Sequence, residues 1–223
     1  MTRTRKTKLD IVYEDKNYVV VNKPAHLLTI ATEDEKINTL YHKVLEFEKR
    51  KNKNIKIFIV HRLDKETSGL VLFTKNQDIK ETLQSDWDSY AINREYIAIV
   101  DGKPKHERDT IVQYLAENRN LEVYTTKPEL GKKAVTKYEV IENYKGTSTL
   151  RINIETGRKN QIRVAMKEIG NPIIGDLKYG SKKNPIRRMC LHASKLEIKD
   201  PITKKLMIFE SEEPREFNIF HEK

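Results

Sequence analysis

Residues Phe58–Asn76 read FIVHRLDKETSGLVLFTKN. Two apolar runs flank a polar corner that holds Arg62 and Asp64, followed by Thr67, Ser68 and Gly69. An ordinary turn is satisfied by Gly or Asn, so opposite charges two residues apart ask for another reason. A carboxylate fixed between two strands is held rigidly, as a nucleophile must be, while its oxygens face a cleft. Small residues after it supply hydrogen bonds and close backbone approach. Two rival readings stand beside this one. Asp64 caps its own turn, or Asp64 and Glu66 form a carboxylate pair of the glycosidase type. Spacing alone does not choose among the three.

Working outward, the chain of 223 residues is long enough to bury one substantial core. Lys and Arg number 43 against 33 Asp and Glu, a net charge of +10. Such an excess favours a polyanionic partner, because each neutralised phosphate releases counterions; the bland alternative is a lysine-rich surface without a partner. Cys190 is the only cysteine, which excludes an intramolecular disulfide, and it reads as a buried small hydrophobe. No secretory or bilayer-spanning apolar segment follows the basic start MTRTRKTK, so the cytoplasm is the expected compartment.

Punctuation along the chain predicts a mixed architecture. DIVYEDKNYVVVNKPAHLLTI gives a short strand, a turn at Asp15–Asn17, and a buried strand Tyr18–Asn22 that stops at Pro24. A helix is expected over 39–51, with Leu40, Val44 and Phe47 on one face, ending in the charge run EKRKNKNIK. IKIFIV and GLVLFTK read as strands and residues 78–90 as a helix. REYIAIVDG is a strand, and AVTKYEVIENYKGTSTLRINIE a hairpin turned at Lys145–Gly146. GRKNQIRVAMKEIG is helical, with Ile162, Ala165, Met166 and Ile169 along one side and Gly170 as the stop. Strands follow at 191–198 and 205–211. Many strands with few, scattered helices predict an α+β fold, a mixed and mainly antiparallel sheet with peripheral helices.

The corner closely resembles the signature of the RluA-type pseudouridine synthases, roughly H-R-L-D-x-x-T-S-G-L-L-L-x-A-K. EDKNYVVVNKPA, REYIAIVDGKP, ETGRKNQIRVAMKEIGNPIIGDLKYG and RRMCLHASKLEIKDPITKK are similar to further blocks of that family, in order and at comparable spacing. The resemblance implies the pseudouridine synthase fold with a central catalytic cleft, and isomerisation of uridine to pseudouridine in structured ribosomal or transfer RNA. It implies no cofactor and no metal. On the matching positions, Asp64 is the expected nucleophile, attacking sugar or base or assisting departure of the base. Arg163 is expected to pair with Asp64 and keep it ionised. Tyr96 is expected to stack on the extruded uracil and to help remove the proton from carbon 5. Arg62 is expected to fill the gap left by the flipped nucleotide. Arg158, Ile162 and Leu191 complete the expected RNA contacts, with plain core as the rival reading for Ile162 and Leu191. His61 is expected to pack and hydrogen-bond, and His192 is assigned no role.

Four positions depart from the family pattern: Asn160, Ala165 and Asn171 stand where histidines are common, and His26 where a glycine often follows NKPA. The catalytic set is untouched, so the departures bear on the RNA contact surface. Residues 1–9 are read as a basic tail and 10–223 as one catalytic domain, a monomeric short form without the small N-terminal RNA-binding domain of many relatives. A non-catalytic RNA-binding protein and a glycoside hydrolase are the alternatives. Intact Asp64, Tyr96 and Arg163 argue against the first, and the basic balance with a single Trp against the second.

Overall fold

The computed structural model describes residues 9–222, so the expected basic tail falls outside the described residues apart from Leu9. Strand β1 (Asp10–Glu14) turns into β2 (Tyr18–Lys23) through Asp15, whose Oδ1 accepts from the Asn17 and Tyr18 amides at 2.7 Å each. This is an Asx turn, the local chemistry that the short side chain provides. Helix α1 (Leu40–Lys49) starts at Thr39, whose hydroxyl accepts from the His42 amide at 3.2 Å. Its buried face is Leu40, Val44 and Glu48, with Phe47 only half-buried. Glu48 is tolerated inside because Lys75 meets it at 3.0 Å.

The strand expected over IKIFIV shrinks to β3 (Phe58–Ile59), and residues 60–67 run as irregular backbone into β4 (Ser68–Thr74). The helix expected over 78–90 divides into α2 (Gln77–Ser85) and α3 (Trp87–Tyr90), because Asp86 leaves the helical region at φ −149°. Next come β5 (Ala91–Asp101), β6 (Arg108–Glu117) and β7 (Val123–Thr125). The latter two were not anticipated: β6 begins with charged residues and is mostly exposed, so its alternation is weak. β8 (Lys132–Tyr144) and β9 (Thr147–Ile154) form the hairpin, with Lys145 and Gly146 at φ 48° and 75°. Helix α4 (Gln161–Glu168), β10 (Leu191–Lys199) and β11 (Leu206–Glu210) complete the chain.

Among the described residues the eleven strands join one sheet, ordered β1-β2-β4-β10-β5-β9-β8-β6-β7, with β3 on β4 and β11 on β10. Among the described residues every pairing between named strands is antiparallel except β4 with β10, where Ser68 faces His192 and Gly69 faces Ala193. That parallel pair brings the starts of β4 and β10 to the same end of the sheet, and antiparallel β5 lies beside them with Tyr96 opposite Ala193. β4 is buried on both faces. Leu70 and Leu72 pack with Ile79 and Leu83 of α2, whereas Val71 and Phe73 pack with Leu40 and Val44 of α1. A third cluster joins Ala98, Leu150 and Ile152 of the sheet to Ile162, Ala165 and Met166 of α4. The fold is therefore α+β with a mainly antiparallel sheet.

Gly69 makes the parallel contact possible. Its φ is +115°, and a Cβ there would lie 2.2 Å from the Ala193 carbonyl oxygen. Both the strained backbone and the clash fall on backbone atoms that cannot rotate away. Gly69→Ala is expected to destabilise the fold by about 3 kcal/mol or more, read from denaturant unfolding. A loss under about 1 kcal/mol would mean that β4 and β10 separate easily.

Candidate active site

Asp64 stands on the irregular segment just before β4, and its backbone is clamped from two sides. The Thr29 hydroxyl donates to the Leu63 carbonyl at 2.8 Å and accepts from the Leu63 amide at 3.3 Å. The buried Lys23 ammonium donates to the carbonyls of Pro24, Leu27 and Lys65 at 3.1, 2.7 and 3.1 Å. The Thr67 amide then closes the turn onto the Asp64 carbonyl at 3.2 Å. Asp64 keeps about a third of its side chain accessible, so it is a fixed carboxylate facing open space.

The space it faces is a cleft of about 80 Å³. Asp64, Tyr96 and Arg163 line it, and so do Arg62, Arg158, Ile162 and Leu191. Residues separated by 127 positions in sequence thus meet in one concavity. Tyr96 is flanked on the sheet by Ala193 and Ile152. Ile162 and Leu191 are 5% and 3% exposed and give the cleft an apolar wall, so they are packed as core and also border the cleft. Arg62 and Arg158 are exposed at the rim, and among the described residues neither has an ion-pair partner. Arg158 is steadied by donating Nε to the Lys133 carbonyl at 3.1 Å.

Arg163 differs from the simple expectation. Its Nη1 is 3.8 Å from Asp64 Oδ2, a loose pair. Its strong partner is Asp176, which accepts from Nε and Nη2 at 2.7 Å each. Asn160 accepts from Nη1 at 3.0 Å, and the Tyr179 ring lies 4.8 Å from the guanidinium carbon. Asn160 also donates to the Tyr179 hydroxyl at 3.0 Å. It adopts φ 53°, the left-handed region that Asn tolerates better than most residues. A bidentate fork and a stacked ring fix the cation in place, and that leaves one edge for Asp64. Asp176 escaped the sequence reading; its only signal was a lone carboxylate in the block PIIGDLKYG, 13 residues from its partner.

Electrostatics at Asp64 are a contest. Burial raises its carboxyl above the usual carboxylate range, and Asp176 adds to this, while Arg163 and Lys23 pull it down. Burial wins, so Arg163 moderates the shift and does not abolish it. The Lys23 ammonium is itself pushed down to about 7 by burial, against the pull of Asp64 and Glu66. The Tyr96 phenol is pushed up to about 12, mainly by burial, with Arg94 opposing. A test follows for Arg163→Lys, which keeps a charge but loses the fork. With Asp64 acting as a carboxylate, activity is expected to be lost as pH falls through its raised pKa. A weaker Arg163 leaves that pKa higher, and the acid limb of the rate profile is expected to move to higher pH. Normal turnover with weakened RNA binding would assign Arg163 to the phosphate surface instead. Arg163→Met would also strand the buried Asp176, at about 3–5 kcal/mol.

Other candidates fall elsewhere. Glu66 does not line the cleft; it pairs with His26 at 2.5 Å, which removes the geometric basis of the Asp64–Glu66 pair. His26 sits at φ 63°, in the region where glycine is favoured. His61 accepts from the Leu72 amide at 3.1 Å and stacks on Trp87 at 4.9 Å, and burial pushes its pKa down to about 3. His192 does not line the cleft and meets Ser68 at 2.8 Å. Ala165 is fully buried and Asn171 donates to the Asp101 carbonyl at 2.8 Å. Of the three positions where family histidines are common, only Asn160 touches the cleft. The basic run 48–56 lies beyond the C-terminal end of β4, the end away from Asp64.

A half-buried carboxylate, a tyrosine and a fixed arginine under a rim of arginines without ion-pair partners among the described residues define an enzyme cleft suited to a polyanion. The sequence model of the family described as RNA pseudouridylate synthase matches residues 17–168. An uncharacterized RNA pseudouridine synthase of Bacillus subtilis is 32% identical over 209 residues, covering 93% of this chain and 69% of its own. The ribosomal large subunit pseudouridine synthase D of Zymomonas mobilis is 34% identical over 226 residues, covering 95% and 71%. Human RNA pseudouridylate synthase domain containing 1 has the same fold, with a TM-score of 0.77 at 24% identity, covering 96% and 87%. The chain belongs to the RNA pseudouridine synthase family, in its RluA-type branch. It is an RNA isomerase, converting uridine to pseudouridine.

Proposed function

We propose that Asp64 is the nucleophile of this isomerisation, acting on a uridine extruded from a stem-loop of large-subunit ribosomal RNA or of transfer RNA. The observation that carries this reading is the convergence of Asp64, Tyr96 and Arg163 on one small cleft beneath the unpaired Arg62 and Arg158. In the reaction the bond from ribose carbon 1′ to base nitrogen 1 breaks, the base turns, and carbon 5 is joined to carbon 1′. Asp64 attacks sugar or base, or assists departure of the base, and Arg163 holds it in place. The apolar wall of Ile162 and Leu191 and the Tyr96 ring receive the base. The Tyr96 hydroxyl takes part in removing the proton from carbon 5. Arg62 and Arg158 bind phosphate or fill the gap in the stack, offsetting an unstacking cost of a few kcal/mol.

Ribosomal RNA is favoured over transfer RNA because several relatives carry ribosomal large subunit in their names. Residues 10–223 act as a single, monomeric catalytic domain in the cytoplasm in this reading. Incubation with total RNA lacking the modification, followed by carbodiimide mapping of pseudouridine, tests it. One or a few new sites in stem-loops of large-subunit ribosomal or transfer RNA are expected. New sites confined to messenger RNA, or none, would overturn the substrate assignment.

A further inference from the structure

The strand that carries Tyr96 also holds a buried charged residue. Arg94 lies two positions earlier on β5, hence on the same face, and is 6% exposed. Its Nη2 donates to the Glu155 carbonyl at 2.6 Å and meets Asp88 at 2.9 Å. Asp88 is its only carboxylate among the described residues and is itself half open to solvent. The Arg94 Nη1 would be 3.1 Å from a Cβ on Gly157, so the guanidinium backs onto the loop that brings Gly157 and Arg158 to the cleft. The Arg94 Nε is buried without a hydrogen-bond partner.

Arg94, Tyr96, His61 and Leu70 line a void of about 10 Å³. Tyr96 lines this void and the catalytic cleft, so it is shared between them. A buried guanidinium with one surface carboxylate and an orphaned N–H is expensive, and such a group asks for a purpose. We propose that Arg94 is a positioning residue for the isomerisation: it stabilises negative charge on the Tyr96 oxygen during removal of the carbon 5 proton, and it holds loop 155–158 at the cleft mouth.

This role rests on Tyr96 acting on the carbon 5 proton as proposed above. In that step the C5–H bond breaks and its electron pair returns to the ring. The proton goes to the Tyr96 oxygen, whose own hydroxyl proton has first passed to solvent water. The oxygen is therefore anionic at the moment of transfer. Burial and Asp64 oppose that anion, and Arg94 is the cation that counters them. Other charges nearby are committed or peripheral. Arg163 is held by Asp176, and Lys195 by Glu197 and Glu210, while Arg62 and Arg158 sit at the rim. His61 is kept neutral by burial and by Arg94 itself.

The test is kcat and KM against pH for wild type, Arg94→Met, Arg94→Lys and Asp88→Asn. Arg94→Met is expected to lower kcat roughly 100-fold near neutrality with KM for RNA within about two-fold, and to displace the kcat profile to higher pH. Arg94→Lys should restore most of the loss, since it keeps the charge. Asp88→Asn removes the anion paired with Arg94, a residue that does not itself line the cleft, and should displace the profile the other way, to lower pH, without loss of kcat. It keeps the question answerable if Arg94→Met fails to fold. Equal losses in Lys and Met at every pH, or no displacement in Asp88→Asn, would reduce Arg94 to a structural brace and overturn the proposal. A raised KM with unchanged kcat would place Arg94 with the RNA and overturn it too. Wild-type turnover in Tyr96→Phe overturns it together with the Tyr96 reading. A normal Arg94→Met beside an inactive Tyr96→Phe overturns it alone.

Discussion

Asp64→Ala is expected to lower the rate of pseudouridine formation by at least about 10⁴-fold while RNA affinity stays within a few-fold. The separation follows from where the charges lie. Affinity for RNA comes mainly from cations at phosphates, and Arg62 and Arg158 at the rim are untouched by the change. Asp64 itself faces the interior of the cleft, where the proposed reaction brings it the base or the sugar. Removing it also relieves the burial of a carboxylate, so the variant should fold at least as well as wild type. Any defect is then chemical. Substantial turnover in this variant would remove Asp64 from the mechanism.

The second large effect is at Tyr96, where two roles separate by substitution. Stacking needs only the ring, which Phe retains, whereas handling the carbon 5 proton needs the hydroxyl. Tyr96→Phe should bind RNA nearly as well as wild type and turn over about 10²- to 10⁴-fold more slowly. Tyr96→Leu should lose turnover and also about 1–3 kcal/mol of binding, the worth of a base on an aromatic face. Rapid-quench turnover and filter binding on one RNA distinguish the outcomes. Full activity in Tyr96→Phe would leave a stacking platform only. Full activity in Tyr96→Leu would make the residue ordinary sheet packing.

Elements whose cause is local were legible in the sequence. The Asp15 turn and the Lys145–Gly146 hairpin each follow from chemistry within a few residues, an Asx side chain in one and a left-handed glycine in the other. The site was legible only through the resemblance. Nothing in spacing says that Asp64, Tyr96 and Leu191 share a cleft; the parallel pairing of β4 with β10 does that, and Gly69 permits it. The partners that set geometry were illegible for the same reason. Thr29 clamps Leu63 from 34 residues away, Asp176 holds Arg163, and Lys23 grips the Lys65 carbonyl from 42 residues away. Each is a polar residue among apolar neighbours, a pattern that many unrelated buried hydrogen bonds share. Strands β6 and β7 escaped because β6 opens on charged, exposed residues and β7 is only three residues long, so there was little alternation to read.

The central claim, that this cleft joins carbon 5 of uracil to the sugar through Asp64, is tested most directly by tritium release. RNA carrying uridine labelled with tritium at carbon 5 loses that atom to water only when carbon 5 forms the new bond and is then deprotonated. Wild type is predicted to release one tritium per pseudouridine mapped, and Asp64→Ala none above background. Release by Asp64→Ala at the wild-type rate, or pseudouridine appearing without release, would contradict the account.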